Sequence, residues 1–129
     1  ERMLLYRELD NLKTDEELTQ YRKRLEDRFG KIPQAGEELM LVVPLRRTGK
    51  QLGCEKIMLK QGKMILYFVQ NPNSAYYQSQ AFGNILNYIA SHARSCNLRE
   101  NKGKRSMVIE QMNTVGQAVD TLKKIQAGN

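Results

Sequence analysis

The chain has no tryptophan, two cysteines, one histidine and three prolines in 129 residues. Cys54 and Cys96 stand far apart and build no small disulfide scaffold, so they read as reduced thiols of a cytoplasmic protein. Long apolar runs are missing too. Nothing approaches the roughly 18 to 20 residues of a membrane span, and the opening ERMLLYRELD mixes charge into the place of a signal core. A cytoplasmic location is the expectation. With a single histidine, metal and proton-shuttle schemes have little to work with. His92 and Cys96 are four apart, a spacing of two ligands on one helix face, yet structural zinc takes four N or S ligands and Cys54 is the only other candidate. The expectation is a surface histidine, a buried thiol, and no metal or cofactor.

Catalytic motifs are equally scarce. A phosphate loop needs glycine five positions before the glycine that precedes its lysine, and Ser or Thr after it. Around Gly49-Lys50 those places hold Pro44 and Gln51, so the backbone cradle and the magnesium-binding hydroxyl are both missing. Glu16/Glu17, Glu26/Asp27 and Glu37/Glu38 are sequence neighbours, which point about 100° apart on a helix and do not converge on one substrate atom. His92 has no nucleophile motif beside it. No catalytic residue is expected.

What is present fits an ordinary folded domain: hydrophobic residues make up 40% and charged residues 27%, close to globular averages. The length suits one domain with one core. Opening on Glu1 and entering a helical pattern at once, the chain is expected to be a piece of a larger protein. Net charge is +7, unevenly shared: residues 1–53 hold 11 Lys/Arg against 10 Asp/Glu, and residues 54–129 hold 10 against 4. That excess admits nucleic acid, an acidic protein surface or plain solubility.

Periodicity supplies the elements. Leu5, Leu9 and Leu12 form the stripe of a first helix. Thr14 opens a capping box with Glu17, starting a second helix that carries Leu18, Tyr21 and Leu25 and stops at Gly30. A third runs from Glu37 to Leu52, where Pro44 predicts a kink or two helices meeting near Val43. Residues 55–60 and 63–69 form a hairpin turning at Gln61-Gly62, and the second strand, apolar on both faces, belongs in the middle of the sheet. Ser74 caps a long helix ending around Arg94, with Phe82, Ile85, Leu86 and Ile89 as its buried stripe. A second hairpin, 97–100 and 105–111, is more charged and reads as the sheet edge. Asn113 or Thr114 caps the last helix. The predicted fold is α+β, in the order ααα-ββ-α-ββ-α, with helices on one face of a mixed sheet of about four strands. It divides into a helical part, 1–53, and a hairpin-helix-hairpin-helix part, 54–129.

Basic residues cluster at Arg46, Arg47, Lys50, Lys56, Lys60 and Lys63, and again at Arg99, Lys102, Lys104 and Arg105. Tyr67, Tyr76 and Tyr77 invite a stacking-platform reading, although no recognition helix, zinc finger or RNA-sheet signature accompanies them. A solvated basic face is the plainer alternative, and a nucleic-acid-binding accessory domain the functional one.

The segment Leu25-Glu26-Asp27-Arg28-Phe29-Gly30-Lys31-Ile32-Pro33 resembles the C-terminal domain of the bacterial transcription-repair coupling factor, a DNA translocase that removes stalled RNA polymerase and recruits nucleotide-excision repair. Leu5-Tyr6-Arg7-Glu8-Leu9, the Thr-capped acidic helix and Leu52-Gly53 before the first strand fit the same family. Pro44 and Gly49 depart from it by standing where helix formers are usual, and Arg24 by standing where an acid is common. The resemblance implies an autoinhibitory lid that docks on a UvrB-like amino-terminal module, masks UvrA binding and restrains the motor until RNA polymerase is engaged. It also implies that Asp27 and Arg28 are the polar contacts of that lid, with Arg24 beside them. Phe29 either anchors that contact or fills the domain's own core, and the core reading is the favoured one.

Overall fold

The computed structural model describes residue 12 and residues 14–128. The expected first helix, apart from Leu12, lies outside them. Helix α1 (Asp15–Phe29) starts where the capping residues place it: the Thr14 hydroxyl accepts from the Glu17 backbone N–H at 3.0 Å and donates to its carboxylate at 3.4 Å. Acids fill its first turn and Arg28 its last, matching the helix dipole. At its end Gly30 takes φ 82° and donates to the Glu26 carbonyl.

Helix α2 (Gln34–Gln51) is one continuous helix with Pro44 inside it, not two meeting near Val43. Proline removes only the bond to the Met40 carbonyl, and here its ring is buried among packed side chains, which holds the turn together. Helices α1 and α2 run antiparallel. Arg47 Nη1 on the last turns of α2 lies 2.9 Å from Asp15 Oδ1 at the start of α1, and Arg22 pairs with Glu37 toward the other end. Gly49 also has a packing reason, since a Cβ there would collide with the Ile57 side chain.

The four strands are β1 (Cys54–Lys60), β2 (Lys63–Phe68), β3 (Cys96–Asn101) and β4 (Lys104–Glu110), in the spatial order β1-β2-β4-β3. All three ladders are antiparallel, so the sheet is not mixed. The helical crossover from β2 to β3 makes those two strands parallel to each other, but β4 inserts between them and every adjacent pair opposes. Strand β2 is central, as its two apolar faces predicted. The second hairpin is an edge only through β3. Its partner β4 is interior and buries Met107, Val108 and Ile109. Both hairpins turn on two residues with positive φ, Gln61-Gly62 and Lys102-Gly103, the backbone that matches the twist of the flanking strands.

Ser74 caps only a short 3-10 helix, Ala75–Gln78, and Ser79 caps helix α3 (Gln80–Ser91), which ends before Arg94. Helix α4 (Val115–Gln126) has a complete capping box, Thr114 with Gln117. An anion also sits at its start: the Glu38 carboxylate of α2 accepts from the Val115 N–H at 2.7 Å.

Helices α2, α3 and α4 cover one face of the sheet. The core joins Leu45 from α2 and its C-cap Leu52 with Met64, Leu66, Phe68, Met107 and Ile109 from the sheet, Ile85 from α3, and Leu122 and Ile125 from α4. It therefore crosses the boundary between the helical part and the hairpin part. Gly53, at φ 86°, makes the turn from α2 into β1 beneath the Tyr76 ring, and the Tyr76 hydroxyl donates to the Leu52 carbonyl. A second, smaller cluster of Tyr21, Met40 and Val43 holds α1 to α2, with Leu18, Leu25 and Leu39 packed around it.

Candidate functional site

The residues that the sequence singled out flank the apolar stripe of α1, Arg24 and Arg28 along its edge and Asp27 on the far side. Arg24, Asp27 and Arg28 stand at i, i+3 and i+4, so their side chains share one side of the helix. All three are exposed. Among the described residues the Asp27 carboxylate has no ion pair or hydrogen bond. The Arg28 guanidinium lies 5.2 Å from the centroid of the Phe29 ring, and that of Arg24 lies 5.9 Å from the Tyr21 ring.

Phe29 does not fill the core: it is 66% exposed. The reason is geometric. Leu18, Tyr21, Leu25 and Phe29 continue one stripe, but α2 begins only at Gln34 and its first buried side chain is Met40. The last turn of α1 therefore outruns the helix that covers the others. The product is an exposed ring with the Arg28 guanidinium over it at the end of the helix, and the Asp27 carboxylate on the other side of the same turn. Chemically the turn offers an exposed apolar ring and charges able to make charge-assisted hydrogen bonds.

The basic residues do not gather into one patch. Arg46, Arg47 and Lys50 lie on α2, where Arg47 is engaged with Asp15. Arg105 faces the helices, its guanidinium 4.3 Å from the Tyr77 ring centroid and its Nε 3.9 Å from a Glu100 oxygen. Lys102 sits in the turn before β4. Lys56, Lys60, Lys63, Arg99 and Lys104 occupy the uncovered face of the sheet. The three tyrosines separate likewise. Tyr76 and Tyr77 pack against Phe82 on the helical side, with Tyr77 donating to the Val69 carbonyl, while Tyr67 points to the uncovered face. The alternation of Lys56, Met58 and Lys60 was the signal for that face, masked because β2 is apolar on both sides.

His92 is exposed and stacks on Tyr88 with ring centroids 3.9 Å apart. Its Nδ1 lies 3.0 Å from the Tyr88 carbonyl. Cys96 is buried, and burial pushes its thiol up. Among the described residues no group of three or more His, Cys, Asp or Glu is placed to hold a metal, and no described helix is long and apolar enough to cross a membrane.

Comparison with known proteins converges on one family. The TRCF domain family matches residues 1–79. The transcription-repair-coupling factor of Helicobacter pylori is 30% identical over 95 residues, covering 73% of this chain and 10% of that protein. This chain thus spans about a tenth of the relative's length. A crystal structure of the C-terminal domain of a transcription-repair coupling factor superposes with a TM-score of 0.73 over 98% of this chain and 79% of its own, at 13% identity. That last likeness is one of fold.

Proposed function

We infer the function from one premise: the chain belongs to the TRCF domain family. On that premise it is a regulatory module of a transcription-repair coupling factor. It catalyses nothing itself and acts in the cytoplasm by docking on the UvrB-like amino-terminal module of the same protein. Docking masks UvrA binding and restrains the DNA translocase until RNA polymerase is engaged. The observation that carries this reading is the last turn of α1, where Phe29 stands 66% exposed beside Asp27 and Arg28. The fold buries its other two phenylalanines, Phe68 and Phe82, and leaves Phe29 as an aromatic anchor that a partner can cover.

The charges give the contact its direction. Asp27 needs a cation and Arg28 a carboxylate across the interface, and removing either leaves its counterpart desolvated without a partner. Arg24, in place of the family's frequent acid, adds a second cation to that face and calls for an acid on the module it meets. Docked domains within one chain meet over modest, polar areas, so binding in trans is expected near micromolar.

Titration calorimetry between the 129-residue chain and the parent's separately produced amino-terminal module tests this. Binding that Asp27→Ala or Arg28→Ala weakens by about tenfold or more supports the reading. Failure of the wild-type chain to bind overturns it.

A further inference from the structure

The sheet presents its second face to solvent, and register shows what stands on it. Because Met64, Leu66, Phe68, Met107 and Ile109 point to the helices, their alternate neighbours point away. One row across the four strands reads Lys56, Tyr67, Ser106, Arg99. The next row reads Met58, Ile65, Val108, Asn97, in which Met58 and Ile65 are half-buried and Val108 is buried beneath its neighbours, and the third begins Lys60, Lys63, Glu110. Lys104, opposite Asn101, extends the face at one end. With strands about 4.8 Å apart, each row is roughly 14 Å wide. The surface has cations at its margins and an aromatic and aliphatic centre.

The charge is one-sided. Glu110 is the single carboxylate in these rows and lies 3.6 Å from Lys63 Nζ. That leaves Lys56, Lys60, Arg99 and Lys104 without a carboxylate partner among the described residues. Lys56 Nζ lies 5.6 Å from the Tyr67 ring centroid, a cation resting on an aromatic face for want of an anion. Its flexible stem lets the ammonium leave the ring for a phosphate.

We propose that this uncovered sheet face binds single-stranded nucleic acid, with a base stacked on Tyr67 above the Met58-Ile65 row and phosphates held by Lys56, Lys60, Arg99 and Lys104. An acidic polypeptide satisfies the cations but makes no use of a flat ring flanked by them. Unpaired nucleotides use both, since each carries a π-face and a phosphate. Exposed Asn97 and Asn101 add hydrogen-bonding groups at the β3 edge. The face is separate from α1, so this binding and the docking of the Asp27 surface stand or fall independently.

Anisotropy of a fluorescein-labelled oligothymidylate of about 15 nucleotides, titrated with the 129-residue chain, reads this binding directly. At a slope near −0.7 per phosphate contact, four engaged cations predict an affinity falling about 50-fold between roughly 50 and 200 mM salt. Tyr67→Ala weakens binding about tenfold at either salt, whereas Tyr67→Phe, which keeps the ring, does not. Lys56→Ala with Arg99→Ala lowers the slope by about 1.4, and Lys123→Ala with Lys124→Ala on α4 leaves it unchanged. Asp27→Ala also leaves it unchanged. No binding at the lower salt overturns the proposal. So does equal competition by poly-glutamate together with indifference to Tyr67→Ala, the result that marks the face as a docking site for an acidic protein.

Discussion

The two hydrophobic clusters differ in kind. The one at the sheet buries its side chains between three helices and four strands, including Met64, Leu66, Ile85, Leu122 and Ile125 with no measurable exposure. Among the described residues the one between α1 and α2 buries Tyr21, Met40 and Val43. Helix α1 rests on that small cluster and on two exposed ion pairs, which contribute little to stability. The difference teaches how the molecule divides its labour. The sheet and its three helices hold most of the core, and α1 is a strut whose far end, Asp27 to Phe29, is left exposed.

Breaking the larger cluster has the largest effect. Leu122→Ala leaves a cavity where no neighbour is free to collapse and costs about 4 kcal/mol, read from urea unfolding. Gly53→Ala comes next. It asks a non-glycine residue to hold φ 86° and drives a methyl into the Tyr76 ring. Those two demands together predict a loss of about 3 kcal/mol and a Tyr76 hydroxyl pulled off the Leu52 carbonyl.

Alkali probes the larger cluster through Cys54 and Tyr76. Burial pushes the Cys54 thiol up to about 12, while an unfolded cysteine releases its proton near ~8.5. Between those values the unfolded state holds fewer protons than the folded one, so stability falls as pH rises, by at most about 1.4 kcal/mol per unit from this group. Burial raises the Tyr76 phenol as well, adding to the loss above about pH 10. Equilibrium unfolding across that range checks this, and Cys54→Ala is expected to flatten the decline. Phe29→Ala sits at the small end. Already in water, the ring contributes less than about 0.5 kcal/mol to folding, and the unfolding midpoint stays in place.

Much of this was legible in the sequence for physical reasons. Caps write themselves in single residues, so Thr14, Gly30 and Thr114 marked their helix ends correctly. Gln61-Gly62 gave the first turn, and the doubly apolar β2 gave its central place. Strand direction was not legible, because a β-helix-β crossover looks the same whether its strands are adjacent or have β4 between them. Pro44 misled for a different reason. Its cost is local, while the buried packing that keeps α2 continuous through it includes residues distant in sequence. Of the site, the spacing of Arg24, Asp27 and Arg28 fixed their common face, but the exposure of Phe29 depends on where α2 begins to cover α1. The basic residues, grouped by sequence neighbourhood, fell on different surfaces because strand pairing, not proximity along the chain, brings Lys56 and Arg99 to one row.

If the end of α1 closes the parent protein and takes no part in holding the fold, altering it frees UvrA binding without loosening the domain. UvrA binding by the full-length parent, with and without Asp27→Ala and Arg28→Ala together, reads this. UvrA affinity is expected to rise about tenfold or more while the unfolding midpoint of the 129-residue chain carrying the same changes does not move. An unchanged UvrA affinity would contradict it, as would a gain matched by loss of stability.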